Sequence, residues 1–291
     1  MTTIPESELI LNARGAIYHL DLLPEEIANT VITVGDPHRV KEVSKYFDRV
    51  EITRQHREFV THTGFIGNNR MSVISTGIGT DNIDIVVTEL DALVNIDLQT
   101  RKIKENLTPM NIIRIGTSGA LQADIEIDSF VASEFAIGMD NLLNFYHLEH
   151  PPFEKELLLG FLNHVQDNHI AFIPYVAGGS SSLISKFQGI THKGITVTCP
   201  GFYGPQGRML RAEPAFPDLI DHLSSFTFSG HRITNFEMET SAIYGMSRLL
   251  GHQAVSLNAI VANRMQKKFS SDSHKAVDRL IRAALELLVE N

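Results

Sequence analysis

The chain has 291 residues, 43% apolar and 20% charged, with a formal net charge of −9. That balance suits a globular protein with a buried core and excludes nucleic-acid binding through bulk charge. One cysteine, Cys199, excludes a disulfide within the chain and fits a reducing cytoplasm. Met1 to Leu11 carries no basic stretch leading into an apolar one, and no apolar run reaches the roughly 18 residues of a membrane span. The expectation is a cytoplasmic protein that meets neither membranes nor nucleic acid.

Strand and helix signals alternate along the chain. Thr30 to Val34 is a β-branched run that ends in Gly35-Asp36-Pro37, and the proline opens a helix through Tyr46. Glu58 to Ile66 and Met71 to Ser75 read as strands joined by a turn at Gly67-Asn68-Asn69. Thr76-Gly77-Ile78-Gly79 precedes a helix from Asn82 to about Val94. Gln99 to Thr108 is polar and reads either as a helix extension or as an exposed insertion. Asn111 to Ile115 is a strand ending in Gly116-Thr117-Ser118-Gly119, and Ile127 to Ala132 is another. Glu154 to Val165 reads as a helix, with strands at Ala171–Val176, Ile195–Thr198 and Ala254–Val261. Apolar residues at helical spacing follow Glu237, with Asn235 as N-cap and Gly251 as terminator. Val277, Leu280, Ile281, Ala284 and Leu288 form the stripe of a closing helix capped by Asp272 or Ser273. The alternation predicts a single α/β domain over 1–291 with a mainly parallel or mixed sheet, and no linker or repeat interrupts it.

The three glycine turns lie where α/β sheets bind ligands, at the carboxyl ends of strands. Glycine lets backbone N–H groups approach an anion, and Arg39 and Arg114 stand beside two of the turns. On an acidic chain, such local arginines are the means of holding a phosphate. Neither a Gly-Lys-Ser/Thr loop nor a Gly-x-Gly-x-x-Gly fingerprint is present. Two carboxylates, Glu237 and Glu239, open an apolar helix. On the residues alone, dipole complementation carries more weight than the second reading, in which Glu239 grips a vicinal diol. The loop Gly201 to Arg208 sets an aromatic, an amide and a guanidinium close together, a set able to read a planar imide edge or simply to plug a surface loop. His147 and His150 are near neighbours, but no His-Glu-x-x-His helix or thiolate set accompanies them, so no metal is expected.

Taken in order, Tyr18-His19-Leu20, Gly35 to Val40, His56-Arg57-Glu58-Phe59, Ser75 to Gly79, Arg114 to Gly119, Phe202 to Arg208, Phe236-Glu237-Met238-Glu239 and Asn263-Arg264 resemble the uridine phosphorylases of the nucleoside phosphorylase-I family. The resemblance runs from about Ile17 to the C-terminus. It implies the family's α/β fold, with a central mixed sheet flanked by helices. It also implies phosphorolysis of a pyrimidine nucleoside. Gly35, Arg39, Arg114 and Thr117 would hold phosphate, joined by Arg57 from a neighbouring subunit. His19 would reach across to the ribose, which Met238 and Glu239 bind. Gly119, Phe202, Gln206 and Arg208 would receive the base, with Arg264 ordering that pocket. Catalysis would rest on Arg114, Gln206, Arg208 and Glu239, without metal or organic cofactor, inorganic phosphate being the co-substrate.

Purine-specific relatives carry an aspartate where this chain reads Ala262-Asn263-Arg264, which points to pyrimidine. The family's Tyr-Pro-Gly-Gln order reads Tyr203-Gly204-Pro205-Gln206 here. Thr80-Asp81-Asn82 replaces Gly-Pro-Ser beside Glu58 and Ile78, where some members build a monovalent cation site. Extra residues fall around Gln99–Thr108 and Phe145–Gln188. The resemblance implies a homo-oligomer, a dimer at least, with a hexamer as the bacterial pattern. The rival readings are a purine nucleoside phosphorylase, a hydrolytic nucleosidase and a non-catalytic nucleoside-binding protein.

Overall fold

A computed structural model describes residues 3–165 and 172–290. In chain order its elements are β1 (Thr30–Val34), α1 (Pro37–Ser44), β2 (Arg49–His56), β3 (Phe59–Ile66), β4 (Asn69–Ser75), α2 (Thr80–Asn95), β5 (Ile96–Asp97), β6 (Lys102–Ile103), β7 (Asn111–Ala120), β8 (Phe130–Gly138), α3 (Pro152–Val165), β9 (Tyr175–Gly178), α4 (Ser181–Lys186), β10 (His192–Thr198), α5 (Leu219–Ser225), β11 (Thr227–Phe228), β12 (His231–Glu237), α6 (Thr240–Leu249), β13 (Gln253–Asn263), β14 (Lys268–Phe269) and α7 (Ser273–Val289). One mixed sheet runs in the order β11-β12-β10-β8-β13-β7-β1-β4-β3-β2, with β9 on β8 and β14 on β13. Strand β12 also pairs antiparallel with β7, so β7, β13, β8, β10 and β12 close into a ring while β1 to β4 splay away from it.

Alternation along the central strands explains why helices cover both sheet faces. Val31, Ile112 and Ala254 pack with Ile83, Val86 and Leu90 of α2 and Ile243 and Met246 of α6. The next residues along the same strands, Ile32, Ile113 and Val255, pack with Val40 of α1 and Leu280, Ile281 and Ala284 of α7. Side chains of period two thus feed two separate cores, as a doubly covered sheet requires. A third core joins Ile137, Ile195, Val197 and Phe236 to α3 and α5. Among the described residues no helix is long and apolar enough to cross a membrane.

Several expectations need correction. Strand β7 does not stop at Ile115: it continues through Gly116-Thr117-Ser118-Gly119, because β13 keeps pairing with it beyond that point, with one bulge at Val261. The supposed third turn is therefore sheet. Asn235 to Glu237 also end a strand, β12, and α6 begins only at Thr240. Asn235 is no N-cap: it is buried in the sheet, donating to Ser118 Oγ at 2.9 Å and accepting from Thr196 Oγ1 at 2.8 Å. Strand β8 starts at Phe130 because Asp128, at φ 65°, turns the chain just before it. Gln99 to Thr108 contributes β6 of a small hairpin with β5 instead of extending α2. Strand β9 begins at Tyr175, and Ala171 of the expected strand lies outside the described residues.

Helix α6 is clamped to the sheet by one phenol. Tyr244, 1% exposed, donates to the Ser133 carbonyl at 2.7 Å and accepts from the Ser256 N–H at 2.9 Å. Tyr244→Phe leaves both backbone groups unpaired inside the protein and should cost about 1–3 kcal/mol. Urea unfolding of the variant checks this, and an unchanged midpoint would mean the clamp contributes nothing.

Candidate active site

A cavity of about 660 Å³ opens where β1, β4, β7, β12 and β13 end. Gly35, Arg39, Arg114, Thr117, Gly119, Phe202, Gln206, Arg208, Met238 and Glu239 all line it. Ten expected site residues, drawn from four separate stretches of sequence, are thus brought to one space of a size typical for small ligands. The loop after β4 reaches it through Gly77 and Gly79, at φ 72° and 99°, a backbone region that disfavours side chains. The Gly79 N–H then donates to Glu239 Oε1 at 2.9 Å.

Arg114 lies at the floor, 7% exposed. Its Nη2 contacts Glu239 Oε2 at 2.5 Å and Glu237 Oε2 at 3.0 Å, and its Nη1 donates to Asn258 Oδ1 at 2.7 Å. Burial opposes its charge, but Glu237 and Glu239 outweigh burial and hold its pKa above the ordinary value. The guanidinium lies over Gly116, where any added Cβ would overlap it. Arg39 sits nearby with its Nη1 3.5 Å from the Ile115 carbonyl, and burial followed by the neighbouring Arg114 lowers its pKa. Two guanidinium groups in one cavity, one of them lowering the other's pKa, are chemically suited to receive an anion.

The two carboxylates divide the roles that sequence reasoning left open between them. Glu237 accepts from Thr198 Oγ1 at 2.8 Å, from the Glu239 N–H at 2.9 Å and from the Thr240 N–H at 3.0 Å. It therefore caps α6 from the end of β12. Glu239 caps nothing and turns into the cavity. Burial raises its pKa and Glu237 adds to the rise, against the opposing pull of Arg114 and the Gly79 N–H.

At the other end, Arg208 Nη1 donates to Gln206 Oε1 at 2.5 Å and to the Phe202 carbonyl at 2.8 Å. Its guanidinium stacks 3.9 Å from the centre of the Phe202 ring, and burial with the nearby Arg264 lowers its pKa. Arg264 does not line the cavity. It donates to the carbonyls of Gln206 and Gly207 at 2.9 and 3.1 Å, tying the loop to the end of β13. Asn263, buried, donates to the carbonyls of Gln122 and Ile125 at 2.9 and 2.8 Å.

His19 and Arg57 stand outside the cavity, together. His56 Nδ1 lies 2.9 Å from the His19 carbonyl, and Arg57 lies over the Tyr18 ring at 5.7 Å. His19 Nδ1 lies 2.6 Å from Glu89 Oε1, which leaves Nε2 free to face outward. Glu58 and Ile78 line the cavity, with Asn82 Nδ2 3.4 Å from Glu58 Oε1. His150 Nδ1 is 3.5 Å from Glu154, whose carboxylate is taken by Arg248 at 2.7 and 2.8 Å. Among the described residues no three His, Cys, Asp or Glu side chains are grouped to hold a metal ion. Sequence reasoning missed Asn258. Its signal was an amide inside an otherwise apolar buried strand, which demands a partner.

Removing Arg114 should expose the cost of the carboxylate pair. Arg114→Met leaves Glu237 and Glu239 buried without their cation, a loss of about 3–5 kcal/mol near neutral pH. A carboxyl whose folded pKa is raised contributes stability below its unfolded pKa and loses it as pH rises through the folded value. The deficit measured by urea unfolding should therefore narrow as the pH falls toward the ordinary carboxylate range. A deficit independent of pH would mean that the raised pKa of Glu239 contributes nothing to it.

Known proteins resemble the chain over nearly its whole length. A uridine phosphorylase of Thermococcus kodakarensis is 28% identical over 281 residues, covering 95% of this chain and 88% of that one. A uridine phosphorylase of Haemophilus influenzae is 26% identical, covering 94% and 99%. The crystal structure of a Trypanosoma brucei nucleoside phosphorylase with uridine phosphorylase activity superposes with a TM-score of 0.88 at 29% identity, covering 97% and 99%. The sequence model of the phosphorylase superfamily matches residues 29–290, and this chain belongs to that superfamily.

Proposed function

We propose that the protein is a uridine phosphorylase, a pentosyltransferase that uses inorganic phosphate to cleave uridine into uracil and ribose 1-phosphate. The observation that carries this reading is that one cavity gathers two arginine groups, Arg39 with Arg114 and Arg208 with Gln206, together with Glu239 held on Arg114. Arg39, Arg114 and Thr117, with Gly35, suit phosphate at one end. Glu239 and Met238 suit the ribose diol in the middle. Gln206 and Arg208, with Phe202 and Gly119, suit the uracil edge at the other end.

The chemistry follows from that layout. Phosphate attacks the anomeric carbon as uracil leaves with the bonding pair, and positive charge develops on the ribosyl ring. The chain contributes position and preorganised charge. Arg39 and Arg114 orient the nucleophile through charge-assisted hydrogen bonds, Glu239 grips the hydroxyls, and Arg208 meets the charge that grows on the uracil carbonyl. Arg208 holds the Gln206 carbonyl oxygen, which leaves the Gln206 amide N–H groups for the base. Asn263 supports pyrimidine choice: both its N–H groups and its carbonyl are engaged with the backbone, so it offers no acid to a purine.

The remaining two residues argue for assembly. His19 and Arg57 form one outward patch beside Tyr18, suited to completing the cavity of a second copy. The functional unit we propose is a dimer or a multiple of it, such as a hexamer, working in the cytoplasm without metal or organic cofactor.

Release of free base from uridine and from inosine, each with and without phosphate, tests the reading. Phosphate-dependent cleavage of uridine is expected. Cleavage of inosine alone would overturn the base assignment. Arg208→Ala should lower kcat by an amount corresponding to about 2–4 kcal/mol, and near wild-type turnover would remove Arg208 from the mechanism. Assembly has its own test. Arg39→Ala and Arg57→Ala should each be nearly inactive, and mixing them under exchange should restore activity, because one cavity of the mixed dimer then keeps both arginines. No recovery in a mixture shown to contain mixed dimers would put both arginines in the same chain's site.

A further inference from the structure

We infer that Asn258 is a positioning residue for the anion site: it fixes the Arg114 guanidinium while leaving its charge unspent. The inference rests on the phosphate assignment of Arg114. Asn258 lies on β13 directly beside Gly116 of β7, and Ser256 lies beside Arg114 in the same register. The four residues therefore share one face of two parallel strands. Without a side chain at Gly116, the Arg114 guanidinium can fold over the glycine and reach Asn258 Oδ1 at 2.7 Å.

The chemistry assigns the amide's orientation. Arginine only donates, so the Asn258 oxygen must face Nη1, and its Nδ2 must face Ser256 Oγ, 3.3 Å away. Ser256 Oγ in turn lies 2.7 Å from Thr240 Oγ1, and the Thr240 N–H is bound by Glu237. Asn258, Ser256 and Thr240 are all fully buried. A chain of neutral groups thus links the back of the guanidinium to the first turn of α6, which Glu239 immediately precedes.

The choice of an amide is the informative part. Arg114 already meets two carboxylates, Glu237 and Glu239. An aspartate at 258 would keep the shape and the acceptor but add a third negative charge against the incoming anion. A small apolar residue would leave Nη1 unpaired and the guanidinium free to turn. Only a neutral acceptor holds the group and preserves its attraction for phosphate.

The test compares wild type, Asn258→Asp and Asn258→Ala by KM for phosphate, KM for uridine, kcat and Tm. Both variants should raise KM for phosphate roughly tenfold or more, the equivalent of one charge-assisted hydrogen bond. KM for uridine should stay within about threefold, on the same scale. A purely structural role would lower Tm and move both constants together, and Asn258→Asp would then resemble wild type because it conserves volume and acceptor. Wild-type phosphate affinity in Asn258→Asp overturns the inference. Should wild type cleave no uridine, the proposed reaction fails, and calorimetric titration with inorganic phosphate decides the positioning role by itself. Roughly tenfold weaker binding in Asn258→Asp supports the role, and unchanged binding overturns it.

Discussion

A guanidinium buried partway along the central strand β7 is the constraint around which this molecule is arranged. Arg114 is a full charge out of water, and a charge in that position is tolerated only with partners in good geometry. Its partners come from β12, from the residue just before α6 and from β13, three segments that meet only when the ring of strands closes. Closure of the sheet and assembly of the site are therefore the same event. The antiparallel pairing of β12 with β7 brings Glu237 and Glu239 within reach of Arg114.

The division of labour between the two carboxylates follows from the same closure. Glu237 ends a strand and is consumed by backbone N–H groups of the next turn. Because that cap is supplied from outside the helix, Glu239 is released from capping and faces the cavity. Gly77 and Gly79 take the positive φ that the loop after β4 needs, and Gly116 leaves room for the Arg114 guanidinium. At the other end, Arg264, just past β13, holds the loop that carries Gln206 and Arg208 without lining the cavity itself.

Much of this was legible in the chain. The β-branched run Thr30–Val34 is a strand as read, and the stripe Val277–Leu288 is the closing helix with Asp272 as its cap, accepting from the Lys275 N–H. Such local signals need no tertiary information. The errors share one cause. Gly116-Thr117-Ser118-Gly119 looks like a turn because glycine is usually a breaker, yet here the small residue at 116 leaves room for the Arg114 guanidinium within a strand that β13 pairs throughout this stretch. Strand β12 was missed because Asn235, Glu237 and the residues around them read as a helix start. Their strand character comes from pairing with β10 and β7, far away in sequence. The site residues in glycine-rich and loop motifs were visible through their chemistry. Asn258 was not, because its partner is an arginine 144 positions away.

The charge count at the phosphate end bears on assembly. Among the groups of one chain at that end that are not exposed, Arg39 and Arg114 supply two positive charges and Glu237 and Glu239 two negative ones, while the exposed Asp36 and Glu58 add negative charge to the lining. The cavity floor is thus close to neutral before any ligand arrives, and an incoming phosphate dianion would meet little net attraction from this chain, which itself carries −9 overall. Arg57 cannot correct this within its own chain, since it lies outside the cavity over Tyr18. A third guanidinium from a second copy would tip the balance, and the desolvated setting would make it count for more than it does at the surface. On the proposed function, a dimer would answer to the electrostatics of this cavity: a single chain brings both Glu239 and Arg114 to one floor, where their charges largely cancel.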